Sequence, residues 1–401
     1  MEKYYYLEPY TREINTKIIN VCEGKKSPEI RLVRFEQTIF YPEAGGQPGD
    51  RGKLLLNGES FSIIDTQKDE KKEHVIHFIE DPKKLLKEGD KVKIELNWSF
   101  RYSYMQKHAA QHVLSALFNN VLNFATVSTH LGKDIVTIEL KTNSISLKDC
   151  YKIEEEANNI VRLDKKITYQ ELPHQDAEKL NLRRSIKVEG LVRIVEIEDC
   201  DLIACGGIHT KSTSEIKLIT YVGQEKIRSH IRTIWKVADD AIDSIHSNNK
   251  IISNLCSSLS AQPFELETLL SKFQNNLAQE RQQNNNSWLL LAELLIEKMA
   301  TNEINIIRLD EKYSSIPLKC FNEALKNQEK TVCIITNKNE RQEWIIHVSS
   351  SFASKMENFK KEVLIKGKAK GGGRFPFFQG IVSVQDTDNF CDKFRSYFKS
   401  L

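Results

Sequence analysis

Two pairs of residues in this chain could do metal chemistry. His108 and His112 read H-x-x-x-H; far downstream, Cys205 and His209 read C-x-x-x-H. Imidazole nitrogen and thiolate sulfur are the donors Zn²⁺ takes in tetrahedral sites. The first pair lies in RYSYMQKHAAQHVLSALF, whose apolar spacing is helical. Residues four apart on a helix share a face, so both imidazoles can reach one ion. The second pair lies in ACGGIHT, where Gly206 and Gly207 let the backbone turn until Cys205 and His209 converge. From spacing alone two readings stand: one four-residue metal site, or a helix with two polar-face histidines and an unrelated buried cysteine.

The spacing also says what kind of site this is not. Zinc-finger ligands sit close in sequence, and these do not. Ala109 follows the first histidine, so the glutamate base of an H-E-x-x-H peptidase is absent. Four protein ligands argue for a closed structural site, because catalytic zinc usually keeps a position for water. One of the four could instead be a loose ligand or a group behind the ligands.

A glycine-rich stretch, TIFYPEAGGQPGDRGKL from Thr38 to Leu54, is the second candidate. Phe40 and Tyr41 precede Gly45, Gly46 and Gln47. Backbone this bare can approach a ligand closely. A tight hairpin inside a small barrel explains the same glycines and prolines by turn chemistry. The third candidate is a basic run. From Lys355 to Arg374, seven basic residues stand against two acidic ones, ending in GKAKGGGR. Such a cluster is a phosphate-contacting footprint or a solvated loop.

These groups need elements to hold them. A chain of 401 residues with 40% hydrophobic content has room for two or three domains with proper cores. No stretch of 18 apolar residues exists, so no membrane partner is expected. The N-terminus lacks a basic segment followed by an apolar run, so no signal peptide is expected. Eight scattered cysteines without a framework pattern fit a reduced, cytoplasmic protein, and a net charge of +3 is too small to prove a nucleic-acid partner.

Six short strand-like runs fill residues 1–97 (TKIINVCE, IRLVRF, KLLLN, FSIIDTQ, HVIHFI, KVKIELN) and predict a small β-barrel. Residues 98–232 mix helix and strand around the candidate ligands, with SLKDCYKIEEEANNIVRLD as a helix and LVRIVEIED as a strand running into the cysteine loop. Helical spacing from Ile231 to Ser258, then Leu266, Leu270, Phe273 and Leu277, predicts a stalk over 233–300. Polar QQNNN is expected to end that helix before a further one, SWLLLAELLIEKM. Residues 301–401 alternate INIIRL, TVCIIT and EWIIHVS with helical stretches, giving a C-terminal α/β domain. The fold class is α+β.

In order along the chain, these motifs resemble those of the alanyl-tRNA editing family, which comprises the editing domain of alanyl-tRNA synthetase and free-standing AlaX-type proteins. TIFYPEAGGQPGDRG is similar to its glycine-rich loop, with Ala44 where glycine is usual. RYSYMQKHAAQHVLSAL is similar to its zinc helix, with Ala109 for threonine. THLGKDIVTIEL is similar to its following strand pair. LRRSIKVEGLVRIVEIEDCDLIACGGIHT is similar to its second metal segment, with Ile208 for threonine. The resemblance runs from about residue 5 to about 240. GKAKGGGRFPFFQG more loosely resembles the C-terminal region of alanyl-tRNA synthetases, with Lys368 and Lys370 in place of glycines. The order implies a long AlaX-type protein. No room is expected for an aminoacylation domain before the editing motifs, so the chain should not charge tRNA.

The resemblance implies hydrolysis of mischarged tRNA-Ala, with Ser-tRNA-Ala first and Gly-tRNA-Ala second, at one Zn²⁺ per chain held by His108, His112, Cys205 and His209. The logic is general: a pocket built for alanine cannot exclude glycine or strongly reject serine, so a second site removes the error. Thr38, Gln47 and His209 are the implied catalytic residues, with Thr38 bonding the serine hydroxyl. Phe40, Tyr41, Gly45, Gly46, Arg101, Lys368, Lys370 and Arg374 are the implied substrate-binding set. tRNA is the implied partner, and stalk and C-terminal domain would form a homodimer. The alternatives are a non-catalytic tRNA-binding or assembly protein with structural zinc, a hydrolase of another seryl-tRNA such as Ser-tRNA-Thr, and a small-substrate zinc hydrolase or phosphoesterase.

Overall fold

Between residues 13 and 96 short runs rich in Ile, Val, Leu and Phe are separated by turn residues, and within a run the buried side chains tend to fall at every second position, the period of a strand with one buried face. In the structure, a computed structural model that describes residues 4–24, 27, 29–71, 73–186, 189–338 and 341–399, these runs become six strands. They follow a short helix α1 (Tyr4–Leu7): β1 (Glu13–Glu23), β2 (Ile30–Phe35), β3 (Gly52–Leu56), β4 (Glu59–Lys68), β5 (Val75–Glu80) and β6 (Lys91–Leu96). They close as β1-β2-β5-β4-β3-β6, with β6 returning antiparallel to β1 at Glu13↔Glu95. Closure leaves no unpaired edge. Ile18, Val33, Phe35, Leu54, Ile63, Ile79 and Ile94 fill the interior. The glycine-rich loop is the link from β2 to β3.

Helix α2 (Trp98–Leu122) follows directly, capped by the Asn97 side chain accepting the Phe100 N–H at 3.2 Å. Then come β7 (Thr126–Leu131), β8 (Val136–Leu140), α3 (Leu147–Arg162), β9 (Ile167–Pro173), the short α4 (His174–Ala177), β10 (Leu191–Ile197), β11 (Asp201–Ala204), β12 (Ile219–Ile227), β13 (His230–Val237) and α5 (Asp239–Leu259). One sheet has the order β12-β13-β8-β7 and another β11-β10-β9. Val113, Leu114 and Phe118 of α2 share a core with Ile153 and Ala157 of α3, Ile138 of β8 and Trp235 of β13. α2 is therefore covered along most of its length, which fixes its histidines.

The chain divides into two compact units, Met1–Leu255 and Cys256–Leu401. The second unit holds α6 (Leu266–Met299), β14 (Ile304–Arg308), α7 (Leu318–Leu325), β15 (Thr331–Lys338), β16 (Arg341–His347), β17 (Lys370–Arg374), β18 (Phe377–Ser383) and α8 (Thr387–Lys399). Its sheet runs β14-β15-β16-β18-β17, with β14 parallel to β15 and the other pairs antiparallel. Val332 and Ile334 face α6 and α7, whereas Cys333 and Ile335 face α8. Burial on both sides explains the unbroken apolar run TVCIIT.

Two sequence expectations are corrected. Ile231 opens no helix: Ile231, Thr233, Trp235 and Val237 alternate inward on β13, and helix begins at Asp239. QQNNN does not end a helix; α6 passes through it as one helix of 34 residues. Asparagine costs only a few tenths of a kcal/mol in a helix interior, and neither Gly nor Pro interrupts the segment. Among the described residues no helix is long and apolar enough to cross a membrane.

Candidate metal centre

His108 and His112 sit one turn apart on the covered face of α2, each about 2% exposed. The chain leaves β11 at Ala204, turns through the two glycines and brings Cys205 and His209 to meet them. Cys205 Sγ lies 3.3 Å from His108 Nε2 and 3.8 Å from His209 Nε2, and His209 Nε2 lies 3.3 Å from His112 Nε2. All four donor atoms fall within 4.8 Å of one another, so the group could hold a metal ion. The reading of two unrelated pairs is thereby removed. Gly207 has to be bare: a β-carbon there would lie 1.9 Å from His108 Cε1.

Two of the three imidazoles are oriented from behind. Gln47 Oε1 accepts from the Ile208 N–H at 3.1 Å and from His108 Nδ1–H at 2.9 Å, which leaves the His108 Nε2 lone pair for a ligand. Gln47 reaches this point because Gly45 and Gly46, at φ +61° and +82°, make a two-residue turn closed by Ala44↔Gln47 hydrogen bonds of 3.0 and 3.2 Å. His112 Nδ1 lies 3.1 Å from Asp201 Oδ2, and Arg183 holds Asp201 through Nε at 2.6 Å and Nη2 at 3.0 Å. His209 Nδ1 is buried without a hydrogen-bond partner.

The charges suit ligation. Burial pushes the Cys205 thiol up, but the adjacent His108 and His112 imidazoles outweigh it and hold it well below its ordinary value. Burial pushes His112 down, yet the Cys205 thiolate and Asp201 raise it to about 9. Burial and the neighbouring imidazoles lower His209 to about 3, keeping it neutral. Thiolate and neutral imidazole are the ligating forms, so Cys205 and His209 stand ready, whereas His112 has to release a proton when an ion binds. Cys200, the nearest alternative ligand, is pushed up to about 12 by burial and by Asp201, and is outside the cluster.

Two family models match the chain. Residues 6–100 match class II (A) tRNA synthetases, and residues 192–234, which include Cys205 and His209, match the second additional domain of threonyl- and alanyl-tRNA synthetases. The alanyl-tRNA editing protein AlaX-L of Pyrococcus horikoshii is 29% identical over the whole of both chains. The chain is thus similar along its whole length to an alanyl-tRNA editing protein. The alanine–tRNA ligase of Pyrococcus abyssi is 27% identical over 99% of this chain and 43% of its own, and that of Metallosphaera sedula 34% identical over 62% and 27%. The chain therefore spans less than half the length of these ligases.

The other residues implied by the editing-family resemblance fall in distinct places. Thr38 is buried in the barrel, its hydroxyl 2.8 Å from His77 Nε2. His77 Nδ1–H donates to the Val33 carbonyl, so Nε2 accepts and Thr38 donates. Phe40 and Tyr41 are fully buried, which closes their rings to a stacking base. The Tyr41 hydroxyl donates to Ala44 O and Gly206 O, both at 3.0 Å. Arg101 is committed inside the unit, its Nε 2.9 Å from both Asp50 carboxylate oxygens. Gly45 and Gly46 are exposed at the turn. Lys368, Lys370 and Arg374 are exposed in the second unit, with Lys368 Nζ 3.3 Å from Asp386; the Lys355 side chain lies outside the described residues. Asp201 and Arg183 escaped the sequence reading. The one signal was an acidic residue at an inward phase of a strand, four residues before Cys205.

Proposed function

We propose that this protein is a trans-editing hydrolase that deacylates mischarged tRNA-Ala, seryl-tRNA-Ala first and glycyl-tRNA-Ala second, at one zinc ion per chain. One observation carries the proposal: three imidazoles and a thiolate converge with the Gln47 carbonyl fixed behind His108, in a chain that matches AlaX-L end to end. The residues fit zinc. Ligands about 2.0–2.3 Å from a tetrahedral ion stand roughly 3.3–3.8 Å apart, as the pairs Cys205–His108, Cys205–His209 and His209–His112 do, with all four donors within 4.8 Å of one another.

A bound zinc ion supplies Lewis-acid chemistry, polarising an ester carbonyl or acidifying a water. The chain's own residues do the rest. Gln47 and Asp201 fix the tautomers of His108 and His112. Thr38 has its proton committed to His77 and accepts the Phe40 N–H at 3.1 Å. One lone pair is left, so Thr38 meets a serine hydroxyl as an acceptor. Alanine and glycine lack that donor. Phe40, Tyr41 and Arg101 act by shaping the floor of the barrel. The exposed Lys368, Lys370 and Arg374 contact tRNA phosphates, and the exposed seam of Leu270, Phe273 and Leu277 on α6 forms a homodimer. The division of labour is barrel 1–97, editing domain 98–232, stalk 233–300 and tRNA-binding or dimerising domain 301–401, in a cytoplasmic protein.

A structural zinc in a non-catalytic tRNA-binding protein has one observation in its favour: four protein donors leave no vacant tetrahedral position. Deacylation of Ser-tRNA-Ala beside Ala-tRNA-Ala separates the two readings. Fast release of serine alone, abolished by Cys205→Ala, supports editing. Zinc-loaded protein that hydrolyses neither moves the binding reading ahead, and release of serine from tRNA-Thr alone reassigns the substrate.

A further inference from the structure

We infer that Arg193 is the positioning residue of the metal loop, holding the backbone of Cys205, Gly206 and Gly207 in the shape that presents the Cys205 thiolate and His209 to an ion. The inference rests on the metal-binding reading of these residues.

Two consecutive glycines give this loop the largest conformational freedom a chain can have, yet it must place two ligand atoms within a few tenths of an ångström. Local sequence cannot do that, so the order has to come from outside. β10 and β11 pair antiparallel up to Ile194↔Ala204, and the ladder runs one step further as the Cys205 N–H donates to Arg193 O at 3.0 Å. The Arg193 side chain then follows the loop. Its Nη1 donates to Cys205 O at 3.1 Å and to Gly207 O at 2.9 Å. The carbonyl between them, Gly206 O, accepts from the Tyr6 hydroxyl at 2.6 Å and the Tyr41 hydroxyl at 3.0 Å. Three successive carbonyls are thus held by donors from β10, α1 and the glycine-rich loop. With the carbonyls turned outward, the Gly207 N–H points to Cys205 Sγ at 3.4 Å.

The guanidinium is itself held. Its carbon lies 4.7 Å from the centre of the Tyr6 ring and 4.4 Å from that of Tyr169. A planar cation stacked between aromatic faces keeps its fork pointed in one direction; an ammonium is a point charge that does neither. Groups that orient metal ligands typically change metal affinity 10–100-fold when altered. The same loss is expected here although Arg193 touches no ligand atom.

The test is Arg193→Lys in the full chain, read by cobalt(II) substitution and by zinc competition against a chromophoric chelator. The expected result is roughly a 10–100-fold loss of affinity and a displaced thiolate-to-cobalt absorption band, with the thermal midpoint of the metal-free protein unchanged. Wild-type affinity and an unshifted band in the variant would overturn the inference. Should Arg193→Lys not fold, the double variant Tyr6→Phe with Tyr41→Phe tests the same clamp through the Gly206 carbonyl. Weakened cobalt binding supports it and unchanged binding overturns it. Wild-type protein that takes up neither metal would instead sink the metal-binding reading itself.

Discussion

At the scale of single residues, the barrel hides a titratable group. His77 has no access to solvent, and burial lowers it from 6.5 to about 4 despite its bond to the Val33 carbonyl. The folded protein keeps it neutral where the unfolded chain would protonate it. Its contribution is therefore intact above about pH 6.5 and is lost as pH falls toward 4, about 3 kcal/mol in all. Between pH 7 and pH 5 the loss should be on the order of 2 kcal/mol. Urea midpoints of wild type and His77→Gln at the two pH values check this. The wild type should lose the more, and parallel losses would show that His77 does not titrate in this window. The same neutral ring is what commits the Thr38 proton, so acid also removes the acceptor geometry proposed for serine.

At the scale of elements, α2 joins the barrel to the metal cluster. Arg101, on its first turns, reaches back to Asp50 at the end of the glycine-rich loop, and its Nη1 donates to Pro9 O at 2.9 Å. Asp50 also accepts the Tyr41 N–H. The loop that delivers Gln47 to His108 is thus pinned to the helix that carries His108. Removing one partner of a buried pair leaves the other charge uncompensated, at a cost of roughly 3–5 kcal/mol. Arg101→Met should lower the stability of the first unit by that amount in urea and weaken metal binding together with it. A stable variant with normal metal affinity would show that the loop holds its place without the pair.

At the scale of the whole molecule, the chain carries one buried, preorganised site in its first unit and an exposed basic hairpin in its second. β17 is solvent-exposed along its whole length, and Lys370, Gly371, Gly372, Gly373 and Arg374 pair antiparallel with Ile381, Gly380, Gln379, Phe378 and Phe377 of β18. If Lys368, Lys370 and Arg374 contact tRNA phosphates, neutralising all three to glutamine should weaken tRNA binding whatever its sequence. The slope of log affinity against log salt should flatten by about 0.7–0.9 for each phosphate that is no longer neutralised. An unchanged slope would return the hairpin to a solvated surface.

The sequence by itself determined what local period and spacing can encode. Short apolar runs punctuated by Gly, Pro and Asn drew the six barrel strands, since such runs are too short for helices and their breaks mark turns. The i, i+4 histidines and the Gly206–Gly207 turn named all four cluster residues, because each pair is local to one helix or one loop. Local reading failed where burial came from elsewhere: the alternating HIRTIWKV looked helical until β8 and β12 took its two edges, and QQNNN looked like a break. Only the tertiary structure decided what stands behind the ligands. Gln47 is 61 residues from His108, and Asp201 is 89 from His112. The tyrosine that caps the Gly206 carbonyl comes from residue 6. Such partners are chosen by which strands become neighbours when the barrel and sheets close, and no periodicity along the chain records that choice.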